Sequence, residues 1–378
     1  MKKVLQLCTF YPINTLYRQL FEELSVIGCE STVYVACKER LVNLNQTGNL
    51  EIIYNGAFKN GDDYIEKLFN IYSKYRFFGQ EKKIFKNLSE KIDFNKFNII
   101  HAHSLYIDGY LAYLAHERCR TDYVVALRNT DVNVYLKHAL HLRKIGIEIM
   151  RNAKSIIFIS ESYKKEVLNK YVPKDEIQEF MDKSLVIPNG IDEYWLDNSL
   201  TEEKAINKNC INLIQVGRID KNKNIETSVK ICDELNAKGI SSKITFVGDG
   251  PLKDKYVSKY KNNNSVIFKA KAPKEIVKDY LNDSDIFIMP SKYETFGLVY
   301  PEAMSQGLPI IYTRNQGFDN FFEEGYVGYS MIYNDVKYGV EAVEKIIKNY
   351  SEISRNATYN VKRFSWKEIA QRYYKVYI

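Results

Sequence analysis

The chain has 378 residues, 45% hydrophobic and 27% charged, enough for two or three domains with their own cores. That composition excludes a disordered chain, and no apolar run reaches the length of a membrane span. The formal charge of +7 suits an anionic partner, whether a phosphorylated molecule, an anionic lipid surface or nucleic acid, and selects none of them.

Residues 4–8 read as a strand and residues 11–15 as a turn. Leu16, Leu20, Leu24 and Ile27 form a helical stripe that Gly28 ends, and residues 31–36 read as the next strand. The start carries two lysines and a short apolar run cut off by Pro12, so a first strand is expected there, not a signal peptide. Six cysteines, Cys8, Cys29, Cys37, Cys119, Cys210 and Cys232, form no C-x-x-C pair and are expected as free thiols in a reducing compartment. Residues 38–97 carry a weaker signal, with a loop at 55–63 and helices at 64–78 and 80–92. Lys67, Lys74, Arg76, Lys82, Lys83 and Lys86 interleave there with Tyr75, Phe77, Phe78 and Phe85. A solvated basic face is the favoured reading, and contact with anionic lipid or an extended acceptor stays open.

Residues 98–101 form a strand running into His101 and His103. Their spacing puts both rings on one face, but no third ligand follows, so no metal is assigned. Tyr123–Leu127 is the next strand and leads to Arg128, Asn129, Thr130 and Asp131. Arg128 is a fixed cation and cannot accept a proton. Asp131 can cap the long basic helix read over 132–154, whose charged side is again favoured as a solvated face. A strand at 155–159 and a helix at 162–170 follow. Residues 185–188 feed a tight turn at Asn189-Gly190, and the polar stretch 193–209 reads as a linker.

Ile211–Val216 opens a second alternation of strands and helices, continued at 225–238, 243–247, 252–261, 266–269 and 273–282. The first strand ends in Gly217, and Arg218 and Lys223 follow just ahead of a helix starting near Ile225. Backbone N–H groups plus fixed cations can hold a diphosphate without a metal. Asp283-Ser284-Asp285 spells a D-x-D metal pattern, but it stands before a buried strand and reads as capping. Residues 286–290 and 308–313 then flank the stretch SKYETFGLVYPEAMSQGLPII. Gly297 permits close approach of backbone to a ligand, and a helix starting just after it favours an anion. Gly307 and Pro309 suit the helix end. Glu294 and Glu302 thus flank an anion cradle, a pattern fitting a ligand with phosphates in its middle and hydroxyls at both ends.

Glu294, Phe296, Gly297, Leu298, Glu302, Ala303, Gly307 and Pro309 stand where the Glu-x7-Glu signature of retaining GT-B glycosyltransferases of family 4 (glycosyl transferases group 1) wants them, and the stretch resembles that signature. Asn189-Gly190-Ile191-Asp192, Gly248–Pro251 and His101/His103 resemble further family motifs. The resemblance implies an α/β GT-B fold: two Rossmann-like doubly wound domains facing across a cleft. The expected domains are 1–192 on the acceptor side and 193–359 on the nucleotide-sugar side, with 360–378 crossing back onto the first. It implies transfer of a hexosyl or N-acetylhexosaminyl group, with retention, from a nucleoside diphosphate sugar to a glycan or lipid-linked acceptor. No metal or other cofactor is expected, and the setting would be cell-surface polysaccharide synthesis in the cytoplasm, with peripheral contact at the inner membrane face left open. Glu294, Arg218 and Lys223 are the expected catalytic residues. Gly217, Thr295, Phe296, Gly297, Leu298 and Glu302 are expected to bind the donor. His103, Arg128, Asn129, Asp131, Asn14 and Thr15 are candidates for the cleft and the acceptor. Two features depart from the family: the first loop, FYPINTLYR, has no glycine, and Arg128 replaces a histidine that usually contacts the transferred sugar. An epimerase and a non-catalytic sugar-nucleotide binder are the alternative readings. Nucleic acid is not an expected partner, since no recognition module accompanies the charge.

Overall fold

The computed structural model describes residues 1–11, 15–36, 50–54, 74–207 and 209–378. Asn14, Cys37, the expected loop at 55–63 and the helix start at 64–73 lie outside the described residues. The chain forms two compact units, Met1–Gly190 with Trp366–Ile378, and Ile191–Ser365.

The first unit is built on seven parallel strands: β1 (Lys2–Leu7), β2 (Cys29–Val35), β3 (Leu50–Tyr54), β4 (Ile99–Ala102), β5 (Tyr123–Leu127), β6 (Ser155–Phe158) and β7 (Ser184–Val186). Their order is β3-β2-β1-β4-β5-β6-β7, so the winding reverses between β1 and β4. Such a reversal opens a crevice at the carboxyl ends of the strands, where α/β sheets take ligands. The helix Thr15–Val26 lays Tyr17, Leu20, Phe21 and Leu24 on the sheet. The last helix, Trp366–Tyr377, joins the same core through Trp366, Ile369, Tyr373 and Tyr377.

Two helical expectations need correction. Residues 74–91 form one helix running through Gly79, not two helices parted there. The long helix expected over 132–154 is broken into a π-helical turn (Asp131–Leu136), a 3-10 turn (Leu140–Leu142) and a helix (Arg143–Asn152). At the break the Arg143 guanidinium donates to the carbonyls of Leu136 and Lys137, at 2.6 and 3.2 Å.

The second unit holds six parallel strands: β8 (Ile211–Val216), β9 (Ser242–Val247), β10 (Val266–Lys269), β11 (Ile286–Ile288), β12 (Ile310–Thr313) and β13 (Gly328–Met331). Their order is β10-β9-β8-β11-β12-β13, and the reversal falls between β8 and β11. The expected linker carries a short helix, Glu193–Asp197, capped by the Asp192 carboxylate and anchored by a buried Trp195. β13 gave no sequence signal, because its apolar content is low. Gly328 is required there: at φ +151° its Cα lies so close to β12 that a Cβ would stand 1.8 Å from the Ile310 carbonyl oxygen. Asp285 accepts the backbone N–H groups of Asn207 (3.2 Å) and Asn212 (2.7 Å), the capping work expected of that acid.

Candidate active site

In the second unit the switch point brings two loops together: Gly217–Asn224 after β8 and Ser291–Leu298 after β11. Parallel pairing of β8 with β11 sets their ends side by side. Asp220 shapes the first loop, its Oδ1 accepting the N–H groups of Asn222 (2.9 Å) and Lys223 (3.1 Å). Asn222 stitches the loops, donating to the Tyr293 carbonyl at 2.9 Å and accepting the Tyr293 N–H at 3.0 Å. Asn224, at φ +51°, starts the helix Ile225–Ala237 and donates from its amide to the carbonyls of Pro290 and Tyr333. Small polar residues that bond their own backbone are a legible loop signal. That they also tie one loop to another is not.

This stitching sets the Lys223 ammonium 2.6 Å from Glu294 Oε2, both side chains mostly buried. The other oxygen of Glu294 accepts the Thr295 N–H at 3.2 Å, and Gln316 Oε1 accepts the Glu294 N–H at 3.0 Å. Gly297 turns the chain at φ +83°, and the helix Val299–Ser305 follows. Among the described residues, the backbone N–H groups of Phe296, Gly297 and Leu298 donate to no acceptor. The Phe296 side chain is core, packed against Phe318, Phe321 and Phe364, so only its backbone faces a ligand role. Arg218 is not drawn into the Lys223–Glu294 pair. Its side chain is 70% exposed and, among the described residues, pairs with Asp220 at 3.5 Å. Gly217 leaves room beside the Lys223 stem, whose Cε would lie 3.8 Å from an added Cβ.

Glu302 occupies the fourth position of the helix Val299–Ser305, and its carboxylate forms no hydrogen bond or ion pair among the described residues. Burial, and then the field of Asp192, push its pKa from the ordinary 4.5 up to about 7. A folded-state pKa above the unfolded value means the proton stabilises the fold. That contribution is complete below pH 4.5 and is lost as pH rises toward 7. Glu302→Gln is therefore expected to match the wild type at pH 5 and to exceed its stability by about 1–3 kcal/mol at pH 8. Denaturant melts at the two pH values check this.

Residues 198–364 match the model of the glycosyl transferases group 1 family. N-acetyl-alpha-D-glucosaminyl L-malate synthase of Bacillus anthracis is 26% identical over 82% of this chain and 81% of its own. The capsular polysaccharide biosynthesis glycosyltransferase CapM of Staphylococcus aureus is 28% identical over 69% of this chain and 72% of its own. The second unit thus carries a domain of the glycosyl transferases group 1 family. The fold agrees: HepE of Anabaena, solved in complex with UDP and glucose, superposes with a TM-score of 0.64 over 99% of both chains at 15% identity. The two Rossmann-like units are those of the GT-B class, and the activity is glycosyl transfer.

Gly317 braces the Glu294 loop from a distant segment. Its N–H donates to the Glu294 carbonyl at 2.8 Å, and a Cβ there would stand 2.1 Å from the Thr295 carbonyl carbon and 2.4 Å from the Phe296 nitrogen. Gly317→Ala must push the Thr295–Phe296 backbone aside. We expect it to cost about 1–3 kcal/mol of stability and most of the activity, read by thermal melts alongside transfer assays.

In the first unit, β4 and β5 carry the remaining candidates. His103, one of the cleft candidates, is 1% exposed. Its ring lies 5.2 Å from both Tyr17 and Phe21 and 3.9 Å from His101, and its Nε2 bonds Gln6 Oε1 at 2.9 Å. Burial, then the neighbouring His101 and Arg128, hold its pKa well below the imidazole range, so it is neutral. Asp131 is buried and accepts the N–H groups of Arg128 (2.8 Å) and Tyr106 (3.3 Å), which ties β5 to the segment after β4. Asn129 accepts from Asn133 and Tyr163 at the surface. Thr15 begins the helix Thr15–Val26. Among the described residues, no group of three His, Cys, Asp or Glu is placed to hold a metal ion, and no helix is long and apolar enough to cross a membrane.

Proposed function

We propose that this glycosyltransferase takes a nucleoside diphosphate sugar and transfers the sugar, with retention and without a metal or other cofactor, to a glycan or lipid-linked acceptor in surface polysaccharide synthesis. The observation that carries the reading is the Lys223–Glu294 pair at 2.6 Å beside three consecutive unpaired backbone N–H groups. A cation and free N–H donors at a sheet's switch point suit a diphosphate. A carboxylate next to them suits sugar hydroxyls. Glu302, without a side-chain partner among the described residues, is free to accept hydrogens from the ribose diol.

In the reaction, the acceptor hydroxyl oxygen forms a bond to the anomeric carbon while the bond from that carbon to the β-phosphate oxygen breaks. The hydroxyl proton passes to the departing phosphate oxygen on the same face. The products are the new glycoside and a nucleoside diphosphate. Lys223, joined by the exposed cation of Arg218, neutralises charge growing on the leaving group, the work a divalent ion does elsewhere. Glu294 orients hydroxyls of the transferred sugar and faces the positive charge developing at the anomeric carbon. A cytoplasmic placement within reach of lipid-linked acceptors belongs to the same reading.

The test is a thermal-shift screen of UDP-, GDP- and ADP-sugars, with and without EDTA. One donor should raise the melting temperature by mass action, undiminished by the chelator. The anomeric configuration of the product, read by NMR, should match that of the donor. No shift with any nucleotide sugar, or an inverted product, would overturn the proposal.

A further inference from the structure

Arg128 sits at the carboxyl end of β5, on the ligand-facing end of the first sheet. Its guanidinium is half-buried, yet no carboxylate lies within 4 Å of it among the described residues. Its partners are neutral. Nε donates to the His103 carbonyl at 3.2 Å and Nη1 to Asn189 Oδ1 at 3.3 Å. The Tyr373 hydroxyl stands beside it, and the Tyr17 ring lies 5.7 Å away. Asp131, the acid closest in sequence, is already engaged by the backbone N–H groups of Leu105, Tyr106 and Arg128. An arginine has five donors, so about two of them remain free here.

A partly desolvated guanidinium whose side-chain hydrogen bonds, among the described residues, all go to neutral acceptors gains from an anion that pairs with it. The neighbours also fix its direction. Asn189, the His103 carbonyl and the Tyr373 hydroxyl hold the planar group from one side, with the Tyr17 ring beside it. A planar fork presented in this way matches the two oxygens of a carboxylate or phosphoryl group. We propose that Arg128 is a specificity residue that binds an oxyanion, carboxylate or phosphoryl, carried by one of the transferred reactants. This rests on the glycosyltransferase reading above and adds to it the charge of the substrate. The oxyanion has two sources, the donor's sugar or the acceptor.

The test uses the full chain and isothermal titration. The probes are UDP-glucose against UDP-glucuronate for a donor source, and glucose against glucuronate and glucose 6-phosphate, with UDP present, for an acceptor source. The wild type is expected to prefer a charged member in one pair by about 10- to 100-fold. Arg128→Gln should erase that preference while leaving UDP binding within about twofold. Arg128→Lys, which keeps the charge without the fork, should retain part of it and serves as the folded control if the glutamine variant does not melt cooperatively. Absence of any charge preference in the wild type, or its survival in Arg128→Gln with the fold intact, would overturn the assignment. Failure of the glycosyltransferase reading has a different signature, since then no UDP-, GDP- or ADP-sugar would bind the wild type or either variant.

Discussion

Glu294→Gln is expected to lower kcat by about 100- to 10,000-fold while leaving the fold and the affinity for nucleoside diphosphate nearly unchanged. The substitution keeps the shape of the side chain and its acceptor oxygen toward the Thr295 N–H. What it removes is the negative charge 2.6 Å from Lys223. If that charge serves the sugar as its anomeric carbon becomes positive, the loss falls on the chemical step and not on ground-state binding, so kcat and kcat/KM drop together. If the carboxylate only braces Lys223, the cost is confined to the melting temperature, and turnover stays within a few-fold. Steady-state kinetics with saturating donor and a melt of the same preparation separate the two outcomes. Turnover near the wild-type rate would remove Glu294 from the mechanism.

Much of this arrangement is legible in the amino-acid order. The strands β5, β8 and β10 have the bounds their apolar runs suggest, and Gly297 holds the left-handed conformation that its place in the turn requires. These are local effects, set by side-chain period and backbone freedom. Contacts between distant segments are harder to read. Nothing in the sequence around Asn222 says that its amide will bridge to Tyr293, seventy-one positions away, nor that Gly317 must be bare because Thr295 presses against it. His103 is a similar case: an imidazole at a strand end is open to a ligand or a structural role, and the sequence does not say that Tyr17 and Phe21 of a distant helix pack against it. The helix over 132–154 failed for a similar reason: its apolar spacing is helical, but at the break the Arg143 guanidinium donates to the Leu136 carbonyl.

Lys223→Ala should lower kcat/KM by about 100- to 1,000-fold, more than Arg218→Ala. The two cations differ in how firmly they are held. Lys223 is 19% exposed and anchored by its own loop, whose carbonyl accepts the Gln215 amide at 2.7 Å, whereas Arg218 is mostly in solvent. A preorganised charge in a partly dry site stabilises a developing anion far better than one that must first be ordered, because no reorganisation is needed as the phosphate leaves. Before the donor arrives, the same ammonium is neutralised by Glu294. Its removal therefore strips a partner from a mostly buried carboxylate, with an expected loss of about 1–3 kcal/mol of stability. A double-mutant cycle with Glu294→Gln resolves the two roles. In melts of the donor-free protein, the coupling should be positive, because each residue mainly supports the other. In kcat/KM the two effects should approach additivity if Lys223 faces the phosphate and Glu294 the sugar. Full coupling in both measurements would mean that the pair is a structural clasp, and the cation acting on the leaving group would have to be sought elsewhere.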